Sequence, residues 1–242
     1  MIIIGISAKK LGGKSTLVDY LLEKIPQSSV VRFADSLKKI IIDCFIPREW
    51  SIKCPDDLDL DEVKNKTLPC GKTIRELLQL IGTDWFRHTW EDCWVNSYKK
   101  KIFDLGSYTS RNEPTVVFTP DVRFPNELKS IQEMGGSVIR LLRAPFGDQD
   151  QHESETALDE FEGKSLESTR KGPNISHQID EFNTLIFSKE PGRYFNLIYD
   201  NREKSLEDTK RWVDEEFIKC FKWQSEIEAV SNMSFDLGRM LK

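Results

Sequence analysis

Cysteine is sparse and poorly arranged for chemistry: Cys44, Cys54, Cys70, Cys93 and Cys220 are five scattered residues with no Cys-x-x-Cys among them. That argues against a zinc knuckle or a dithiol redox pair and predicts reduced, mostly buried thiols in a cytosol-like compartment. Histidine is scarcer, with three residues; His88 has no Cys or His at ligand spacing and reads as structural or exposed. A basic excess is absent too, since 35 Lys and Arg against 40 Asp and Glu leave a net charge of −5. Proteins that bind duplex DNA or RNA carry a clustered basic surface, so no nucleic-acid partner is expected. Long apolar runs are missing as well. Met1-Ile2-Ile3-Ile4 is too short for a signal peptide or a membrane span, and no later stretch reaches membrane length. No internal repeat is visible.

What is present suits a soluble globular chain. An apolar content of 38% provides for a core, while 31% charged residues and a mean hydropathy of −0.47 keep the surface wet. At 242 residues one large domain or two small ones are possible. The stretch Gly5 to Thr16 organises the rest. An apolar β-branched run precedes it, and Leu17, Val18, Leu21, Leu22 and Ile25 follow at helical spacing. Strand, glycine-rich turn and helix form the context of a phosphate-binding P-loop, in which backbone N–H groups and a helix N-terminus face an anion. Gly12, Gly13, Lys14, Ser15 and Thr16 are the candidate phosphate contacts. Lys14 would reach the β- and γ-phosphates, and the Ser15 hydroxyl would ligate Mg²⁺. One position departs from the pattern. Ala8 stands where its first glycine belongs, a turn expected to strain a residue with a Cβ, and the Gly12–Gly13 pair is expected to restore close approach.

Further along, Ser29–Phe33 reads as a strand and Leu37, Ile40, Ile41, Cys44 and Phe45 as a helical face ending before Pro47. Asp35 and Lys38 sit where that strand gives way to that helix, the edge at which open α/β sheets bind ligands. The acidic run Pro55–Glu62 reads as a solvated loop or helix start. Ile74, Leu77, Leu78 and Ile81 predict a helix capped by Gly82. The Trp residues that follow are expected in the core, whereas Arg75, Asp84 and Arg87 are polar groups expected to face a pocket. Thr115–Thr119 is the clearest interior strand. Its ending, Pro120-Asp121-Val122-Arg123, resembles a Walker-B position whose carboxylate holds Mg²⁺, and the alternative is an Asp capping the helix from Pro125. Ser137–Leu142 predicts another strand, and residues 144–177 predict a long polar lid or insertion. Gly163-Lys164-Ser165 within it lacks a preceding strand. Phe182–Phe187 is a strand or edge hairpin, Tyr194–Tyr199 the last core strand, and Ser205 starts a helix.

Taken in order, these pieces resemble phage-type deoxynucleoside monophosphate kinases, in the P-loop group that also includes phosphomevalonate kinase. The resemblance rests on Ser7–Thr16, Phe33–Lys38, Arg75–Asp84 with Arg87, Pro120–Arg123 with Glu127, His152–Glu155 with Leu158, and Asp200-Asn201 ahead of Ser205–Asp208. The Leu-Gln-x-x-Gly-Thr-Asp and Asp-x-Arg blocks are its more specific parts. Departures are Ala8, Asp35-Ser36 in place of a Gly-Pro or Asp-Pro pair, and an inserted-looking segment around 160–195.

The resemblance implies a three-layer α/β P-loop kinase fold: a doubly wound parallel sheet, a helical monophosphate-binding region at about 35–105 and a lid at about 144–177, within a domain of residues 1–223. The tail, 224–242, has no counterpart in the family; its apolar residues Ile227, Val230, Met233, Phe235, Leu237 and Met240 predict a further short helix docked on the core or on another subunit. It implies transfer of the γ-phosphoryl of ATP to a nucleoside 5′-monophosphate with Mg²⁺. Lys14, Asp121, Arg123 and Arg143, with Arg140 beside it, would serve the chemistry. Asp35, Lys38, Arg75, Asp84, Arg87, Arg123, His152 and Glu155 would hold the acceptor, and Asp200 and Asn201 would sit by the adenine. It further implies a small nucleotide partner, no membrane partner, room for a homodimer, and a cytoplasmic location, the host's for a phage or viral chain. Two other readings stay open at this point: a different small-molecule P-loop kinase, and a nucleotide-binding regulatory protein that turns over slowly or not at all.

Overall fold

The computed structural model describes residues 1–9, 12–108, 116–142, 152–159, 195, 197–202 and 204–218. Its centre is a sheet of five parallel strands in the order β2-β3-β1-β4-β5, namely β1 (Ile2–Ser7), β2 (Ser28–Val30), β3 (Val116–Thr119), β4 (Ser137–Leu142) and β5 (Leu197–Asp200). In register, Ile4 lies opposite Phe118 on one side and Ser137 on the other. Strands buried on both faces read as continuous apolar runs, which is why β1 and β4 were legible in the sequence.

Alternate residues of β1 enter two different cores. Ile2, Ile4 and Ile6 pack with Leu17, Val18 and Leu21 of α1 (Lys14–Lys24), and with Trp212 of α8 (Leu206–Trp212) and Val213 and Phe217 just after it. Ile3 joins Val117 and Val138 against Val95, Tyr98 and Ile102 of α5 (Cys93–Tyr108) and Leu128 and Ile131 of α6 (Pro125–Glu133). Helices therefore cover both faces, and the expected three-layer, doubly wound arrangement is present. Each fully buried aliphatic side chain contributes about 1.5–3 kcal/mol to this packing.

Between β2 and β3 the chain builds a separate helical lobe. It comprises α2 (Asp35–Phe45), α3 (Asp61–Lys64) and α4 (Ile74–Gln79), and α4 runs on as a π-helical stretch, Leu80–Arg87. Leu37, Ile41, Leu58, Val63, Leu68, Ile74, Leu77, Ile81 and Trp94 form its own core. Thr73 caps α4, accepting the N–H of Glu76 while Glu76 accepts the N–H of Thr73.

Several expectations are corrected here. Gly82 does not end a helix; it lies inside the π-helical stretch, and a Cβ there would stand 2.5 Å from Leu37 Cδ2, so it serves close packing of that helix on α2. Trp94 is buried, its indole N–H donating to Gly82 O, but Trp85 and Trp90 are more than half exposed. Cys44, Cys54 and Cys70 are exposed rather than buried, and Cys93 is half-buried. The possible strand at 182–187, most of the 144–177 segment and the tail 224–242 lie outside the described residues.

Gly136 gives a sharp test of sheet packing. A Cβ there would meet Ile3 O at 2.7 Å, Ile131 Cγ2 at 2.8 Å and Ile3 Cβ at 2.9 Å. Backbone cannot step aside as a flexible side chain can, so Gly136→Ala is expected to cost about 1–3 kcal/mol. Urea unfolding checks this, and a variant as stable as the parent would count against the packing described.

Candidate functional site

The glycine-rich turn between β1 and α1 is built on two glycines. Gly12 donates its N–H to Lys9 O at 3.0 Å, and Gly13 takes the left-handed conformation, φ 86°, directly before Lys14 opens α1. The expected strain at Ala8 is not found: its φ is not positive, and its Cβ occupies the space left by Gly12, where a Cβ would stand 2.7 Å from that of Ala8. Lys14 Nζ donates to Ala8 O and, at 3.2 Å, to Lys9 O, so the side chain folds back over its own loop. Residues 10 and 11 lie outside the described residues.

Beyond this turn opens a cavity of about 500 Å³, at the carboxyl ends of β1, β2 and β3. Ligands of open α/β sheets bind at that edge. Gly12 to Thr16 lie on one side, the β3 end with Asp121 and Arg123 on another, and the helical lobe closes the far wall with Lys38, Arg75 and Arg87.

Charges in the cavity are mutually engaged. Lys38, only 4% exposed, places Nζ 2.7 Å from Asp59, which also meets Lys64 at 3.4 Å and Arg32 at 3.7 Å. Burial works against the Asp59 charge, but Lys38, Lys64 and Arg32 outweigh it and hold the carboxyl below its ordinary range. Lys64 goes the other way: burial and the neighbouring Lys38 and Arg123 charges lower it despite Asp59. Arg75 pairs with Asp61 at 3.0 Å. The acidic run is therefore no merely solvated loop, because Asp59 and Asp61 line the cavity.

Asp121 accepts the N–H groups of Phe33 at 3.1 Å and Ala34 at 2.9 Å. It thus ties the β3 end to the β2–α2 turn and does not cap α6. Burial raises its carboxyl above the ordinary range, against those two N–H donors and the Lys38 charge. At α6 the capping carboxylate is Glu127, which accepts the N–H of Arg123 at 2.8 Å and of Phe124 at 3.1 Å. Glu127 is 2% exposed and ion-paired with buried Arg87, whose guanidinium lies 3.8 Å over the Phe124 ring. Burial pushes Glu127 up to about 7, with Arg87 pulling in the opposite direction.

Of the candidate residues, Gly12, Gly13, Lys14, Ser15, Thr16, Lys38, Arg75, Arg87, Asp121 and Arg123 border this one cavity. Others stand elsewhere. Asp84 is exposed, because Thr83 and Arg87 share the inward side of the turn and the next position after Thr83 points out. Asp35 accepts the Arg32 N–H at 3.0 Å and faces Lys101 at 3.6 Å behind the cavity wall. His152 Nδ1 accepts the Ser154 N–H and caps α7 (Glu153–Thr156). Asp200, exposed and paired with Arg202, and buried Asn201, whose N–H bonds Leu142 O, end β5 outside the cavity lining. Arg140 is no lid residue: it is buried in β4, donating to Ser7 Oγ at 2.8 Å and meeting Asp159 at 3.5 Å, while Asp159 also pairs with Lys9. Arg143 and the Glu155 side chain lie outside the described residues.

Sequence reasoning missed Arg32, Asp59, Asp61, Lys64, Gln79 and Thr83 as cavity residues and Glu127 as a buried partner of Arg87. Asp59 was one acid in a run of acids, and nothing local marks it as the one facing Lys38. Among the described residues no helix is long and apolar enough to cross a membrane.

A parallel α/β sheet whose carboxyl edge holds a glycine-rich turn and a cation-lined cavity defines a protein suited to phosphorylated ligands. The chain belongs to the deoxynucleotide monophosphate kinase family. The family profile, deoxynucleotide monophosphate kinase, matches residues 60–167. A protein of Acanthamoeba polyphaga mimivirus described as "Putative deoxynucleotide monophosphate kinase" is 30% identical over 201 residues, covering 78% of this chain and 95% of the relative. The solved structure of TT1252 from Thermus thermophilus aligns over 90% of this chain and 97% of its own, with 16% identity and a TM-score of 0.37.

Proposed function

We propose that this protein transfers the γ-phosphoryl group of ATP to the 5′-phosphate of a deoxynucleoside monophosphate, giving the diphosphate and ADP. The observation that carries the reading is one cavity shared by the glycine-rich turn on one side and a ring of Lys and Arg on the other. An oxygen of the acceptor phosphate attacks the γ-phosphorus as the bond from that phosphorus to the bridging oxygen of ADP breaks. Such a transfer needs positioning and charge neutralisation more than covalent help.

On this reading Lys14 exchanges the Ala8 and Lys9 carbonyls for phosphate oxygens, and the N–H groups of Gly13, Lys14 and Ser15 receive the rest. Arg123, with Lys38 and Arg75 on the lobe, faces the acceptor phosphate. Glu127 and Arg87 hold one another and so keep Arg123 in place through its backbone. The Ser15 hydroxyl and the Asp121 carboxylate, both on the cavity, are hard oxygen donors that fit Mg²⁺. Asp121 already accepts two N–H groups, yet a carboxylate has roughly four lone-pair sites and would keep capacity to help hold the ion. When bound, the metal neutralises developing charge on the transferring group.

The test is a panel of dGMP, dTMP, dCMP, dAMP and phosphomevalonate with ATP and Mg²⁺. Turnover of one or more nucleotides is expected. Turnover of phosphomevalonate alone, or of nothing, would sink the reading.

A further inference from the structure

Arg75, Gln79, Thr83 and Arg87 follow one another at four-residue intervals along α4 and its π-helical continuation, and all four border the cavity. Residues so spaced share one side of a helix. The two ends of this stripe are charged and already engaged, Arg75 by Asp61 and Arg87 by Glu127. The two middle positions are neutral. Among the described residues, neither the Gln79 amide nor the Thr83 hydroxyl has a hydrogen-bond partner, although Thr83 is only 5% exposed. Phe33, Leu37, Leu78, Trp94 and Phe124 border the same space. Polar groups set among apolar walls are satisfied only by water or by a ligand that completes them.

We propose that Gln79 and Thr83 read the edge of the acceptor's nucleobase, an inference that rests on the kinase reading above. A base has flat apolar faces and an edge of adjacent donors and acceptors, which matches apolar walls interrupted by one amide and one hydroxyl. The amide also has a property that a charged residue lacks. Turned by 180°, it presents donor and acceptor in the opposite order. In one orientation it meets the O4 and N3–H of thymine or the O6 and N1–H of guanine. In the other it meets the N4 amino group and N3 of cytosine or the N6 amino group and N1 of adenine. Preference among the bases is therefore set by Gln79 and Thr83 rather than by the cationic groups around them.

Gln79→Glu tests this with nearly unchanged shape. A carboxylate only accepts, so it pairs with the adjacent N1–H and N2–H₂ of guanine but meets an acceptor at O4 of thymine and at N3 of cytosine. Steady-state kinetics of the full chain are measured with dGMP, dTMP, dCMP and dAMP. The ratio of kcat/KM for dGMP over dTMP is expected to rise about tenfold to a hundredfold, mostly through KM, since that is the worth of one bidentate base contact. Thr83→Val, which removes only the hydroxyl, is expected to change the ratios among the four bases as well. Base ratios unmoved in both variants, whether overall rates fall or not, would overturn the inference while leaving the kinase reading intact. Failure of the parent protein to phosphorylate any of the four would overturn both.

Discussion

Lys14→Ala is expected to lower phosphoryl transfer about a thousandfold or more, given what a preorganised cationic group contributes to this chemistry. The structure explains why the fold should survive. Lys14 opens α1 half-exposed, bordering the cavity, with Nζ turned onto the Ala8 and Lys9 carbonyls of its own loop rather than into either core. Surface changes of this kind leave stability nearly untouched, so the melting temperature should move by only about 2 °C. Activity and Tm measured on the same preparation check both halves. Turnover within tenfold of the parent would remove Lys14 from the mechanism, and with it the phosphate-binding assignment of the turn.

The second large effect concerns stability. Arg87 sits almost fully inside the protein, donating to Glu127, to Asn126 Oδ1 at 3.3 Å and to Glu91 O at 3.3 Å. It connects the helical lobe to the start of α6. Above pH 7, where Glu127 is charged, removing Arg87 leaves that buried carboxylate uncompensated, so Arg87→Met is expected to cost about 3–5 kcal/mol in urea unfolding at about pH 8. A loss below about 1 kcal/mol would show that the pair is dispensable to the fold.

The same pair makes stability depend on pH. Glu127 titrates near 7 when folded against 4.5 ordinarily, with burial as the main cause. The folded state therefore holds this proton more tightly than the unfolded chain. Its contribution is full below the ordinary value and is lost as pH rises towards 7. Parent stability should fall across that window, and Glu127→Gln should flatten the slope. Parallel pH profiles for the two proteins would contradict it.

Much of this was written locally. Ile2–Ser7 and Ser137–Leu142 announce buried strands by unbroken apolar content, and Pro125, followed by Leu128 and Ile131 and ended at Gly135, delimits α6 closely. The glycine-rich turn was visible because its geometry depends on neighbours in sequence: a strand, two glycines, and a helix opened by Lys14. Asp121 was legible as a residue of consequence for the same reason, at the end of an interior strand.

Other features depend on residues that meet only after folding. Asp59 and Lys38 are 21 positions apart, and Arg87 and Glu127 are 40 apart. A local pattern holds no record of which acid faces which base across such distances. Helical phase defeated the reading of Asp84, since the π-helical turn decides whether position 83 or 84 looks inward. Gly82 likewise looks like a stop signal in one dimension and proves to be a contact point for Leu37. Sequence alone thus determined the α/β class, the family resemblance and the glycine-rich turn, all set by short-range periodicity and backbone freedom. Tertiary structure alone decided which charges are neutralised, which side chains meet in the cavity and where Glu127 titrates, because those depend on distance and dielectric between parts of the chain remote in sequence.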